Sequence, residues 1–119
     1  MSDTVKAIIT AIQNRLDHKF VIHNPKSPWN YIIENRCGPP IMTVHFTSTL
    51  ISLSIPFVRP YQHVLAWDNT YASETCDIDL CDPRAMALVF DIIDRGVRVI
   101  DEVHRIKGWD QINGEYGLP

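Results

Sequence analysis

The sequence predicts an α+β domain: an antiparallel β-sheet of four to six strands, with an N-terminal helix and a long C-terminal helix packed on one face. Three observations carry this expectation. Pro83 to Lys107 repeats apolar residues at helical spacing, the longest such run in the chain. Ahead of it, strand-like runs follow one another on short connections, as in antiparallel sheets. No helical pattern alternates with those strands, which argues against a doubly wound α/β fold.

Residues 3 to 17 read as the first helix, because Val5, Ile8, Ile9, Ile12 and Leu16 fall on one face. Ser2 or Asp3 can cap it. Phe20-Val21-Ile22 is a short strand stopped by Asn24-Pro25, and Lys26-Ser27-Pro28 is a turn. Trp29 to Glu34 is a second strand. Cys37-Gly38-Pro39-Pro40 is a loop, since neither proline can donate to a ladder. Ile41 to Val58 is the main β segment. Met42, Val44 and Phe46 share one face, whereas Ile51, Leu53, Ile55 and Phe57 alternate in the opposite phase. A one-residue slip flips every side chain, so a bulge or a tight turn lies near Ser48-Thr49. A turn is the preferred reading, giving two antiparallel strands. Pro56 and Pro60 place the end of the second at a sheet edge. His63 to Trp67 reads as a further strand, Asp68-Asn69-Thr70 as a polar turn, and Cys76 to Leu80 as the last short strand.

The long helix opens on Asp82-Pro83, an N-cap followed by a residue suited to the first helical position. Gly108 closes it, with Arg105 and Lys107 at the negative end of the dipole. Met86, Val89, Phe90, Ile93, Val97 and Ile100 form one stripe; Leu88, Ile92, Val99 and Val103 form another beside it. That apolar arc is wider than one sheet face consumes. At about 1.5 Å per residue, the first helix is too short to cover all of it. The part around Val99, Val103 and Ile106 therefore calls for a cover. Either a docking tail, residues 108–119 with Trp109 and Tyr116, or a second subunit about a two-fold axis would supply it. The dimer is the preferred expectation.

The chain of 119 residues is a single-domain length. With 45% hydrophobic and 21% charged residues it is too apolar for disorder. A net charge of −3 gives no general attraction to nucleic acid or anionic membranes, so neither is expected as a partner. No apolar run approaches the roughly 18 residues of a membrane span. The N-terminus lacks the features of a signal peptide. Cys37, Cys76 and Cys81 are an odd number without framework spacing, which favours reduced thiols in a cytoplasm.

Candidate chemistry is sparse. Asp68, Glu74, Asp77 and Asp79 form an acidic stretch, and Asp77 and Asp79 share a strand face with Asp82 close by. Grouped carboxylates can hold Mg²⁺ or Ca²⁺. The plainer reading is a solvated strand face beside a helix cap, and the interaction reading is an acidic surface for a basic partner. No metal or cofactor is expected. Cys76 and Cys81 are too far apart for a zinc knuckle, although His63 could join them if the strands pair. Cys37 with His45 as base is a conceivable nucleophile, though a loop thiol is more often a bystander. His104 falls on the apolar stripe and reads as structural. Trp29, Tyr31, Tyr61, Trp109 and Tyr116 are candidate exposed aromatics for an interface. The five glycines form no phosphate-binding loop, and no nucleophile elbow or zinc-protease motif occurs.

A compact cytosolic α+β domain without a catalytic signature resembles, in type only, phage and mobile-element accessory proteins and the immunity proteins that block toxins. No motif carries that resemblance, so no residue roles come with it. The expectation is a small non-catalytic protein–protein interaction protein, an inhibitor or viral accessory factor, and a homodimer. The competing expectation is a small enzyme or ligand-binding domain with its site between the sheet and the long helix.

Overall fold

In a computed structural model, backbone is described for residues 3–24, 28–38, 40–58 and 71–115, and side chains for all of these except 57–58, 71–72 and 106–115. The order is α1 (Asp3–Arg15), β1 (Phe20–His23), β2 (Asn30–Asn35), β3 (Met42–Phe46), β4 (Leu50–Val58), β5 (Tyr71–Asp79) and α2 (Ala85–Glu115). The strands form one antiparallel meander in chain order, so the α+β expectation holds.

Strand alternation decides which face is buried. Phe20, Ile33, Met42, Val44, Phe46, Ile51, Leu53, Ile55 and Ile78 lie in a single core with Val5, Ile8, Ile12 and Leu16 of α1 and Val89, Ile92, Ile93 and Ile100 of α2. All nine strand residues have the same side of the sheet in common, because their register partners are one another: Ile33 opposite Met42, Val44 opposite Leu53, Ile51 opposite Ile78. Both helices therefore pack on one face.

The phase slip resolves as a turn. Thr47 N–H donates to Leu50 O at 2.9 Å, and the Thr47 hydroxyl accepts from Leu50 N–H at 2.9 Å and Thr49 N–H at 3.2 Å. A threonine side chain thus satisfies donors that a two-residue loop would leave unpaired. Gly38, at φ 111°, makes the bend between β2 and β3 that a side chain resists.

Several boundaries differ from expectation. First, β5 begins at Tyr71, not Cys76, and pairs with β4 over nine register positions. Its first half is polar because Ser73 and Thr75 face away from the core and Glu74, on the core side, is met by Arg95. Second, β4 as a whole is an inner strand between β3 and β5, but its end at Pro56 is paired on the β5 side alone. β3 reaches only Ser54 of β4, so the missing N–H falls where the neighbour has ended. Third, α2 runs through Gly108 to Glu115. A glycine costs about 1 kcal/mol within a helix, too little to end one by itself. Fourth, Val103 is 1% exposed within a single chain, so it needs no second subunit to cover it, while Val99 is half-buried and the Ile106 side chain lies outside the described residues. The expected strand at His63–Trp67 lies outside the described residues.

Asp82 serves at the start of α2 as the sequence predicts, although the helix begins at Ala85, two residues after the expected Pro83. Asp82 Oδ1 accepts from Arg84 N–H at 2.8 Å, and hydrogen bonds from the same guanidinium hold its carboxyl below the ordinary range. Ile93 is fully buried at the centre of the α2 stripe. Ile93→Asp places an unpaired charge there, at a cost of several kcal/mol, and is expected to abolish cooperative unfolding. An unchanged melting temperature by circular dichroism would contradict the core assignment.

α1 is tied to α2 by polar contacts at its end. Arg15 Nε and Nη2 donate to Asp94 at 2.8 and 2.6 Å, and the guanidinium lies 4.7 Å from the centre of the Phe90 ring. Lys19 Nζ adds a bond to Asp101 at 3.4 Å. The Arg15 hydrogen bonds hold the Asp94 carboxyl below its usual range. A depressed carboxyl stabilises the fold above the unfolded pKa, and that contribution disappears as pH falls through the folded value. Asp94→Asn should therefore lower the melting temperature at pH 7, and by less at a pH below the ordinary carboxylate range. Because both groups are more than a third exposed, the difference is small. Equal melting temperatures at both pH values would show that the pair adds nothing.

Candidate functional site

The second face of the sheet carries neither helix. Its residues are the partners of the core set: Val21 and His23 on β1, Asn30, Ile32 and Glu34 on β2, Thr43 and His45 on β3, Ser52 and Ser54 on β4, and Ser73, Thr75, Asp77 and Asp79 on β5. Short hydroxyls dominate the middle of this face, and charges sit at its two sides.

One row across it is continuous. Asn30 lies opposite His45, His45 opposite Ser52, and Ser52 opposite Asp77, so four polar side chains line up on four strands. The row is hydrogen-bonded at both ends. His45 Nδ1 bonds Asn30 Oδ1, with Nδ1–H as donor because the carbonyl oxygen only accepts. Ser52 Oγ donates to Asp77 Oδ1 at 2.6 Å. At the Asn30 end the row opens into a shallow cavity of about 330 Å³, bounded also by Trp29, Phe46, Thr47 and Ser48. Trp29 is 40% exposed there, and Ile41 is 44% exposed one residue before β3. At the other side of the sheet His23 Nε2 lies 3.2 Å from Glu34.

The acidic stretch is only partly what its sequence suggests. Asp77 and Asp79 do share the open face. Asp79 Oδ1 also accepts from Cys81 N–H at 2.8 Å, which turns the chain out of β5. Glu74 faces α2, where its Oε1 takes Arg95 Nη1–H at 3.2 Å, so it does not join the patch. Asp82 caps α2 and pairs with Arg84 at 3.3 Å. Asp68 lies outside the described residues. Among the described residues no group of three or more His, Cys, Asp or Glu side chains could hold a metal ion.

Of the candidate aromatics, Trp29 is exposed and Tyr31 is not. Tyr31 turns to the helix side, edge-on to Phe46 at 5.9 Å between ring centres. The two are separated by the strand start: Trp29 precedes β2 and Tyr31 lies within it. Tyr61 and Tyr116 lie outside the described residues, as does the Trp109 side chain. Cys37 and His45 do not meet. Cys37 sits in the β2–β3 loop with its N–H on Asn35 Oδ1 at 2.7 Å, and His45 lies toward the opposite end of that hairpin. Cys76 faces the core beside Arg95 Nη2, at 3.8 Å, and Cys81 is exposed, while His63 is outside the described residues.

A second concave region lies where α2 crosses β4 and β5. A cleft of about 330 Å³ is bounded by Ile55, Pro56, Glu74, Arg95, Arg98, Val99 and Glu102. This is the sheet–helix position expected for a ligand site. Sequence reading did not single out Arg95 and Arg98 because they belong to the polar arc of an amphipathic helix. The His45–Ser52 pair was in principle legible: a two-residue loop at Ser48-Thr49 fixes that register. Its continuation to Asp77 was not, because the β4–β5 connection gives no register.

Among the described residues no helix is long and apolar enough to cross a membrane. Comparison of the chain with family models, with curated proteins and with solved structures finds no match.

Proposed function

We propose that the protein is a small non-catalytic interaction protein that docks a protein partner on the open face of its sheet, as an inhibitor or a viral or phage accessory factor would. The observation that supports this is the one-sided burial. Both helices sit on one face, while the other carries a hydrogen-bonded polar row, with exposed Trp29 in the cavity at its Asn30 end and exposed Ile41 just before β3. Interfaces mix aromatic anchors with polar groups in this way. Asp77 and Asp79 give the β5 side a negative sign, so the partner presents basic side chains there. His45 and Ser52 act in this reading as hydrogen-bonding contacts, not as reacting groups, and the protein works in the cytoplasm with its thiols reduced.

Affinity capture from the native source, run in parallel with Asp77→Lys, tests the reading. A specific partner retained by the parent chain and lost by the variant, with melting temperature unchanged, is the expected result. A partner retained equally by both would move the interface off this face.

The reading also takes the chain as a homodimer, through the part of α2 beyond Val103. Light scattering is expected to give about twice the 13.6 kDa of one chain. A monomeric mass would remove self-association and leave the sheet-face proposal standing.

A further inference from the structure

The cleft under α2 has a charge arrangement that the fold does not use. Its apolar lining is Ile55 of β4 and Val99 of α2, with Pro56, which the register places opposite Ser73, at one end. Its rim carries Arg95 and Arg98, three residues apart on α2 and therefore neighbours on the helix surface. Two carboxylates, Glu74 and Glu102, complete it, so the lining as a whole is balanced. The balance is local, however. Glu74 is taken by Arg95 Nη1 at 3.2 Å. Glu102 is taken by Arg105 Nη2 at 2.5 Å and Nε at 3.1 Å, which holds its carboxyl below the usual range. Asp94, one turn before Arg98, is occupied by both donors of Arg15. Arg98 is left without a hydrogen bond or close ion pair among the described residues.

Arg95 is also incompletely satisfied. Its Nε is buried and has no hydrogen-bond partner, and its Nη2 reaches only the Cys76 sulfur at 3.8 Å. Buried donors without partners are rare in folded proteins because each keeps the cost of its lost hydration. Nε is the donor still to be satisfied, and an acceptor can reach it while Nη1 stays on Glu74. An anion at the rim would supply that acceptor and would at the same time meet Arg98, which interacts with the Asp94 carboxylate only at longer range. Guanidinium groups bind carboxylates through paired hydrogen bonds.

We propose that this cleft binds a small organic carboxylate, with its hydrocarbon body on Ile55, Pro56 and Val99 and its carboxylate between Arg98 and Arg95. The volume is at the small end of ligand pockets, which suits one aromatic ring system or a short chain and not a lipid. The apolar floor separates this ligand from inorganic phosphate, which would leave that surface wet. The site is independent of the sheet-face reading, since it lies under the helix and shares no residue with the polar row.

The test uses the full chain and three probes: 2-naphthoate, its neutral amide 2-naphthamide, and inorganic phosphate. Titrations are followed by amide chemical shifts in NMR spectra. Naphthoate is expected to bind and to shift the amides of Val99 and Arg98, with the amide analogue and phosphate at least about tenfold weaker. Arg98→Gln, an exposed position that leaves the core untouched, should weaken naphthoate about tenfold or more. Val99→Phe, which fills the floor and keeps both arginines, should weaken it as well. The proposal is overturned if naphthoate causes no saturable shift up to roughly 10 mM, if naphthamide binds equally, or if both variants bind like the parent. Failure on any of these leaves partner capture by the sheet face unaffected.

Discussion

The approach of α2 to the middle of the sheet is the contact on which the other elements depend. Gly96 lies at that crossing. A Cβ there would run into Met42 Sδ and come within 3.2 Å of Ile55 Cγ2, so the absence of a side chain sets the distance between layers. Ile93 and Ile100 flank it, one turn away on either side, and both are fully buried. A helix interior ordinarily disfavours glycine by about 1 kcal/mol relative to alanine. Here that loss is offset by close packing, since interiors at crystal-like density reward contact that a spacer would forbid. Gly96 therefore holds a position for a reason unrelated to turns, and it lets α2 sit close over Met42 of β3 and Ile55 of β4.

The remaining elements follow from that crossing. With α2 laid over β3, β4 and β5, the core over β1 and β2 needs a second cover. α1 supplies it with Val5, Ile8, Ile12 and Leu16. Apolar burial alone leaves the rotation of one helix against the other loosely specified. The fork from Arg15 onto Asp94, with the same guanidinium over Phe90, fixes it through a planar group that tolerates few geometries. Its contribution to stability is small at this exposure, and its contribution to register is the larger one.

How much of this could be read in the chain depends on the range of each interaction. Helical stripes and strand alternation are local, so α1, the core face of β3 and β4, and the phase slip at Ser48-Thr49 were legible. The slip even implied the turn that Thr47 completes. The first half of β5 was not legible, because Glu74 breaks the alternation and only Arg95, 21 residues away, makes it acceptable on the helix side. Tyr31 was misassigned to the surface for a related reason: its neighbour Phe46 becomes visible only once β2 and β3 are in register. The polar row shows the same limit. Its members are spread from Asn30 to Asp77, and no spacing rule connects them before four strands are paired. In the cleft, Arg98 looked like any residue on a solvated helix face. Its distinction is that its neighbouring carboxylates are occupied elsewhere, which is a property of the folded network.

The edge of the sheet joins the stability of the fold to the proposed function. Among the described residues β5 pairs with β4 and has no partner on its other side, over nine register positions. A long exposed edge offers free backbone donors and acceptors to other chains, and proteins guard such edges with charge. Asp77 and Asp79 stand on this edge strand, facing the open side, and like charges on two copies would repel in edge-to-edge pairing. That argues against β5 as the surface through which two copies associate, and it leaves the distal part of α2 as the proposed place for self-association. It also gives the acidic residues a use that precedes any partner. A basic partner would meet a negative face that solubility had already required, and its binding would then draw on complementarity that the fold keeps for its own protection.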